Sequence, residues 1–359
     1  MKGADWPSSC QIVASKHLGG AERWAQRFAV ALAARHAPAT VVVRAGSEVA
    51  ELQMGGLPVR ALPFRTVWDP FSRHAVARLV SELRPDVVQT YMGRATRLTR
   101  LSGKFVHLAR LGGYYKLVPY RHADAWVGNT RRLADWLIAQ GLPAARVHHI
   151  YNFSGAAQPR PDAEIVALRD SLGIPSDAWV MVALGRFVSM KGHRFLLQAL
   201  SRLPAEIHGR RWFMLLVGDG PLRQSLARLA GELGIQDQLV WAGWQTRPGP
   251  YMQLADLIVF PSLEYEPFGN VILDAWAWER PLLTTRFFGA MEVARHGEDA
   301  WCVPCEAPAA LANGILRLLG DSTLRAALVH RAAQRASEEF GKDAIMAQYL
   351  NLYHRLLRA

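Results

Sequence analysis

Cysteine is scarce in this chain. Three in 359 residues, an odd number, exclude a disulfide framework as the source of stability and predict reduced thiols. Cys302 and Cys305 form a C-x-x-C, but no second Cys or His pair stands at zinc-site spacing and Cys10 is remote, so the two read as half-buried residues at a strand end. Long apolar runs are missing as well. No segment reaches the ~18 uncharged apolar residues that span a bilayer, and the opening stretch MKGADWPSSCQIVASKHLGG has no signal-peptide core; a cytoplasmic protein is expected. Acid is in deficit, with 42 Lys and Arg against 30 Asp and Glu and a formal charge of +12. That balance suits nucleic acid, an anionic membrane surface or anionic small substrates. No Lys/Arg block, zinc pattern or RNA-binding aromatic motif is present, so nucleic acid ranks last of the three and is not assigned as a partner. Asp-x-Asp is also absent. That motif is one compact way of holding a divalent cation on a diphosphate, so metal independence is expected and no metal ligand is assigned.

What is present is a repeated alternation. The length suits two domains of about 150 to 200 residues. Short runs rich in Val, Ile and Leu recur, each followed by a stretch of helical period, which is how a parallel sheet with crossover helices reads. One series falls at 11–15, 40–44, 59–62, 86–90, 105–111, 125–128 and 147–151; the second at 179–184, 212–217, 239–242, 257–261, 282–284 and 301–303. The polar Pro/Gly stretch 154–162 between them cannot continue a helix or a central strand. Residues 1–153 are therefore expected to form one domain, 154–165 a linker and 166–341 a second domain. In the final helical stretch, 342–359, Ile345, Met346, Tyr349, Leu350, Tyr353, Leu356 and Leu357 form an apolar stripe. Two doubly wound sheets facing each other leave a cleft at the C-terminal ends of their strands, where open parallel sheets bind ligands.

Three strand-to-helix junctions carry candidate chemistry. At Gly19-Gly20-Ala21-Glu22-Arg23, paired glycines let the backbone approach a bulky anion such as a diphosphate, and a helix start supplies N–H donors; a tight turn without ligand explains the pair equally well. At Gly185-Arg186-Phe187-Val188-Ser189-Met190-Lys191-Gly192, a guanidinium fork and an ammonium are framed by glycines, a combination suited to two neighbouring phosphates. Fixed cations stabilise a departing diphosphate more than its ground state. At Glu266-Pro267-Phe268-Gly269-Asn270-Val271-Ile272-Leu273-Asp274, Gly269 and Asn270 read as a helix start with N–H groups presented at its positive end. Glu266 lies in the preceding loop and Asp274 more than one turn inside the helix. Two acceptors so placed suit a polyol, one for sugar hydroxyls and one for a ribose diol.

Together G-G-A-E-R, G-R-F-x-x-x-K-G, V-G-D-G-P at 217–221, P-S-x-E-x-E-P-F-G-x-x-x-x-D-A at 261–275 and Gly289-Ala290-Met291-Glu292 resemble, in order and over nearly the whole chain, the large family four of retaining glycosyltransferases. The resemblance implies an α/β GT-B fold of two Rossmann-like doubly wound parallel-sheet domains, with the donor mostly on the second, the acceptor on the first, and a terminal helix returning to the first. It implies that Arg186 and Lys191 hold the diphosphate and that Glu266 contacts the donor sugar. Phe268, Gly269 and Asn270 would then present backbone groups, and Asp274 would bind the ribose. Two departures stand out. Asp274 replaces the family's usual second glutamate, one methylene longer. Where many members carry a histidine before a glycine at a first-domain strand end, this chain reads Leu108-Ala109-Arg110-Leu111-Gly112-Gly113-Tyr114-Tyr115.

The stretches 84–95 and 110–116 resemble the subset acting on lipopolysaccharide core or related envelope glycans. Arg94, Arg97, Arg100 and Lys104 fall at helical spacing, as one basic face toward phosphorylated lipid or as a solvated face. The expected activity is transfer from a nucleotide-diphosphate sugar, a UDP-sugar favoured, to an anionic glycan or glycolipid, with peripheral association at the inner membrane surface and no cofactor. The rival readings are an epimerase or phosphorylase on the same fold, or a binder without turnover.

Overall fold

A computed structural model of the chain describes residues 5–101 and 103–358; the first four residues of the opening stretch and the last of the terminal one lie outside that description. The chain divides into two units, Met1–Asn152 with Lys342–Ala359, and Phe153–Gly341.

Unit 1 runs β1 (Ser9–Val13), α1 (Gly20–Ala33), β2 (Ala39–Arg44), β3 (Val59–Leu62), α2 (Pro70–Leu83), β4 (Val87–Tyr91), α3 (Met92–Leu98), β5 (Val106–Leu111), β6 (Ala125–Gly128), α4 (Arg131–Ala139) and β7 (Val147–His149). Every strand pairs in parallel, in the order β3-β2-β1-β4-β5-β6-β7. All five residues of β1 and all five of β4 are buried, as expected for central strands of a sheet covered on both faces. Expected strands and observed ones agree to within one residue except at both ends of β1 and the end of β7, where they differ by two, because the Val/Ile/Leu runs report burial directly. The order reverses between β1 and β4, which makes that pair the switch point of the sheet.

Unit 2 runs α5 (Asp162–Ser171), β8 (Trp179–Leu184), α6 (His193–Leu200), β9 (Glu206–Ile207), β10 (Arg210–Val217), α7 (Arg223–Glu232), β11 (Leu239–Gly243), α8 (Gly249–Leu254), β12 (Leu257–Phe260), α9 (Asn270–Ala277), β13 (Leu282–Thr285), α10 (Phe288–Val293), β14 (Trp301–Val303), α11 (Pro308–Gly320) and α12 (Ser322–Glu338). Its sheet has the order β11-β10-β8-β12-β13-β14, all parallel, with β9 added antiparallel to β10. β9 has no counterpart in the apolar runs. It is two residues long, and His208 and Gly209, both at positive φ, make the two-residue turn that returns it to β10. Here the switch point lies between β8 and β12.

The last helix, α13 (Lys342–Arg358), belongs to unit 1. Its buried stripe is Ile345, Met346, Tyr349, Leu352 and Tyr353. Leu352 rather than Leu350 is covered and Leu357 is exposed, because the observed face keeps the spacing of three and four. The Tyr353 hydroxyl reaches the two central strands. It accepts from Gln11 Nε2 (3.2 Å) and donates to Gln89 Oε1 (2.9 Å), while Tyr91 Oη accepts from Gln89 Nε2 (2.5 Å) and donates to Gln11 Oε1 (2.7 Å). Four buried polar side chains thus close a ring in which every hydroxyl gives and receives, which is what makes burying them tolerable.

The basic helical face expected from Arg94, Arg97, Arg100 and Lys104 is not continuous. α3 stops at Leu98, and Arg100 and Lys104 lie beyond it. Two threonines account for the early end: Thr96 Oγ1 bonds back to the Met92 carbonyl (3.1 Å) and Thr99 Oγ1 to that of Ala95 (2.8 Å), a side-chain competition that weakens helix continuation.

Candidate active site

The chemistry-bearing loops of unit 2 leave the C-terminal ends of β8 and β12, the two strands that flank its switch point. Open parallel sheets bind ligands at such a place because the loops on either side diverge there. Lys191 ends a short turn after β8, and Gly192 then caps α6 at φ +65. A Cβ at Gly192 would run into the Pro261 carbonyl, so only glycine lets the β8 loop pass this close to the β12 loop. The result is an ion pair across the switch point: Lys191 Nζ lies 2.7 Å from Glu266 Oε2, with side-chain exposures of 19% and 9%. Lys191 Nζ also stands 4.9 Å from the centre of the Phe260 ring, and its stem passes over Gly185.

Arg186, on the same loop, is exposed and has no ion-pair partner among the described residues. Its backbone is fixed all the same. Gly185 donates to the Val217 carbonyl (3.0 Å), Phe187 to that of Asp219 (2.9 Å), and Leu222 to that of Phe187 (3.1 Å), so the V-G-D-G-P loop after β10 acts as a brace. Phe187 is fully buried. A charged side chain on a pinned backbone, beside a paired cation, is an arrangement poised for an anion.

The β12 loop is held in the same manner from the other side. Gly289 donates to the Glu266 carbonyl (3.1 Å) and Phe288 to that of Glu264 (2.9 Å), while Thr285 Oγ1 bonds the Ser262 carbonyl. Gly269 caps α9 at φ +79, ψ +66, and a Cβ there would come within 2.6 Å of the Phe287 ring. Asn270 opens the helix. Asp274 is its fifth residue, half-buried, and its carbonyl receives the Trp278 amide at 3.1 Å. Phe268 is buried.

Gly19 and Gly20 lie in unit 1, after β1 at the start of α1. The Gly19 amide is taken up locally, since Glu22 returns one carboxylate oxygen to it (3.0 Å) and receives Ser15 Oγ on the other. A carboxylate at a helix start is favourable for the helix.

Two more buried polar groups lie at the same loops. His193, one residue past Gly192, is buried against Phe187 (4.9 Å between rings) with its Nδ1 unpartnered. Burial first, then the nearby Lys191 charge, lowers its pKa to about 3. Ser262, the serine of the motif at 261–275, is fully buried with its hydroxyl unpartnered. His193 follows no recognisable spacing and was not singled out in the sequence. In unit 1, Arg110 is buried, lies 3.6 Å over the Trp24 ring and donates to Asn152 Oδ1. It fills with a permanent cation the strand end at which a histidine was sought. Cys302 is buried and Cys305 half-buried, both free.

Two Rossmann units, the second carrying a basic, glycine-framed switch point, define a glycosyltransferase of the GT-B class. Comparison with known proteins agrees. The family model described as "Glycosyl transferases group 1" matches residues 165–335, and "Glycosyltransferase Family 4" matches residues 18–153. The lipopolysaccharide core biosynthesis glycosyltransferase LpsE of Rhizobium meliloti is 32% identical over 341 residues, 93% of this chain and 95% of that protein. LpsD of the same organism is 31% identical over 342 residues, 94% and 95%. Among solved structures, Anabaena HepE in complex with UDP-glucose superposes with a TM-score of 0.84 at 21% identity, covering 97% of this chain and 100% of that one. WaaG, a glycosyltransferase involved in lipopolysaccharide biosynthesis, gives 0.71 at 17% identity, covering 96% and 99%. The chain belongs to the group 1, family 4 glycosyltransferases, and among its described residues no helix is long and apolar enough to cross a membrane.

Proposed function

We propose that this enzyme transfers a sugar, with retention of anomeric configuration, from a nucleoside-diphosphate donor to a hydroxyl of a lipopolysaccharide core or related envelope glycan. The observation that carries the reading is the Lys191–Glu266 pair at the unit 2 switch point, beside an Arg186 that has no ion-pair partner among the described residues. In the proposed step the bond between the sugar's anomeric carbon and the diphosphate oxygen breaks as the acceptor oxygen bonds to that carbon. The acceptor proton passes to an oxygen of the departing diphosphate, so no protein base is needed. Arg186 and Lys191 take up the charge that grows on the leaving group. Glu266 contacts sugar hydroxyls, and Asp274 the ribose. Phe268, Gly269 and Asn270 present backbone groups at the start of α9, and Gly185 keeps the β8 loop clear of side-chain bulk. Gly19 and Gly20 give the turn that admits a bulky anion to unit 1, a role tempered by the Glu22 carboxylate already bound there.

The names of LpsE and LpsD support the acceptor class, and the HepE complex supports UDP as the nucleotide. Independence of divalent metal and peripheral residence on the cytoplasmic face of the inner membrane belong to the same proposal. A thermal-shift series with UDP, GDP and ADP tests the donor half, because a ligand of the folded state raises the midpoint by mass action. UDP is expected to raise it without added metal, and to lose that effect in Arg186→Ala. No shift with any of the three nucleotides would remove the donor assignment.

A further inference from the structure

Unit 1 holds a buried cation that the proposed transfer does not use. Arg110, next to last in β5, is 2% exposed. Its guanidinium lies 3.6 Å over the Trp24 ring, donates to Asn152 Oδ1 and adjoins the Tyr349 hydroxyl, yet it is in no ion pair among the described residues. A guanidinium carries a fork of N–H donors, and here Nε is buried without a partner. A permanent charge taken out of water without a counter-charge is costly, and a ring face offsets only part of that cost. Arg335, also buried, shows the usual solution in unit 2, where it pairs with Asp299 (2.8 Å) and Glu339 (3.1 Å).

The guanidinium faces an opening. Gly112, just past the strand, is half-buried. Outside its chain neighbours, a Cβ built there would meet only two of the described atoms within 4 Å, Arg110 Nη1 at 3.6 Å and Asn129 Nδ2 at 3.7 Å. Asn129 follows β6, the strand paired with β5, and is itself buried with its Oδ1 unpartnered. Two nitrogen donors at adjacent strand ends therefore converge on a space that the missing side chain keeps clear. The backbone does not account for the glycine, because Gly112 is not among the residues at positive φ and 3.6 Å is ordinary contact for a methyl group. The same edge of the sheet carries more positive charge. Arg44 ends β2 and Arg94 lies in α3 after β4; burial first, then the Arg44 charge, lowers the pKa of Arg94, and its Nη1 is buried without a partner. Glu22, the acid at the start of α1, is taken up by Ser15 and Gly19.

We infer that the space over Gly112 receives an anionic oxygen of the acceptor, from a carboxylate or phosphate on the sugar that unit 1 holds, with Arg110 selecting for the charge and Asn129 as the second donor. Open parallel sheets take ligands at this end of their strands, and a guanidinium fork beside an amide matches the paired oxygens of an acid group. The bound anion supplies the counter-charge that the protein withholds from Arg110. This selection rests on the proposed transfer reaction and narrows its acceptor to an acidic sugar.

The test follows the nuclear magnetic resonance signal of Arg110 Nε–H in the isotopically labelled full chain, assigned by its loss in Arg110→Lys. The chain is titrated at constant ionic strength with glucuronate, glucose 6-phosphate and, as the neutral control, methyl glucoside. At least one acid is expected to move the signal saturably while methyl glucoside leaves it in place; which acid does so tells carboxylate from phosphate. Gly112→Ala, whose methyl group would occupy the space without strain, should weaken acid binding roughly tenfold or more at an unchanged melting temperature. Arg110→Lys, which keeps the charge but not the fork, should weaken it as well, read by calorimetric titration. Failure of both acids to move the signal, an equal response to methyl glucoside, or parent-like acid binding in Gly112→Ala would overturn the inference. So would loss of the UDP-induced thermal shift in Gly112→Ala, because the space would then take the donor. That shift, measured on the parent chain, reports the donor reading separately: present without acid binding, it leaves the transfer reaction standing and removes only the acidic acceptor.

Discussion

Replacing Lys191 by Met separates the structural role of the Lys191–Glu266 pair from the catalytic role proposed for it. Met keeps the stem over Gly185 and against Phe260 but removes the ammonium 2.7 Å from Glu266 Oε2. The Glu266 carboxylate, with 9% of its side chain exposed, is then left without a counter-charge. Breaking a fully buried pair from one side costs about 3 to 5 kcal/mol; with Lys191 still a fifth exposed, about 2 to 3 kcal/mol is expected, read as a lower urea midpoint for unit 2. Turnover should fall ~10² to 10³-fold, the usual cost of removing one fixed donor from a developing anion. Glu266→Gln added to Lys191→Met removes the stranded charge, so most of the stability should return. Turnover should not return, because the diphosphate still lacks its cation. Arg186→Ala is the control on the other side: an exposed residue without an ion pair, it should change stability by under ~0.5 kcal/mol while slowing turnover by the same ~10² to 10³-fold. The assay is release of UDP from UDP-sugar, with acceptor or by slow hydrolysis, alongside equilibrium unfolding. If the rate tracked stability, falling in Lys191→Met and recovering in the double variant, and if Arg186→Ala turned over normally, the pair would be a structural ion pair and the leaving-group argument would be wrong.

Two further outcomes follow from burial alone. His193 in unit 2 and His107 in unit 1 are each held neutral by burial, with folded pKa values of about 3 against ~6.5 in the unfolded chain. The unfolded state therefore binds more protons between those values, stability is complete above ~6.5, and it declines as pH falls through that value, each histidine taking about 2 kcal/mol in total between pH 7 and 5. His193→Leu should flatten the acid limb of unit 2 alone in pH-dependent unfolding, and an unchanged slope would refute the assignment. Tyr353→Phe leaves Gln11 and Gln89 each short of one bond inside the core of unit 1, an expected loss of about 1 to 3 kcal/mol measurable by calorimetry, with UDP affinity at unit 2 unaltered.

What the sequence disclosed and what it withheld divide along a physical line. Central parallel strands are buried on both faces, so composition alone marks them, and the strands of both sheets appear as Val/Ile/Leu runs within a residue or two. The loops after β8 and β12 were legible for a related reason: positive φ and close backbone approach demand glycine at Gly192 and Gly269, and such demands leave letters in fixed places. The hidden features depend on contacts between residues far apart in the chain, or on solvent. The ring of Gln11, Gln89, Tyr91 and Tyr353 joins positions 342 residues apart at its widest. β9 exists only because a two-residue turn returns it to β10. α3 ends early through two hydroxyls bonding backward, an effect that a 3.6-residue period ignores, and the basic face expected there became a patch assembled from α3, the segment beyond it and the β3–α2 turn. That last case is the instructive one. Arg97 was noticed for its spacing, yet its significance comes from lying over Trp68, and Trp68 in sequence is one aromatic among many. An exposed tryptophan and a buried one are written with the same letter; only the burial of Asp69 and Phe64 on either side turns this one outward. Charge in the sequence pointed to an anionic partner, and the fold sets an exposed aromatic pair, Trp68 and Phe71, beside that charge.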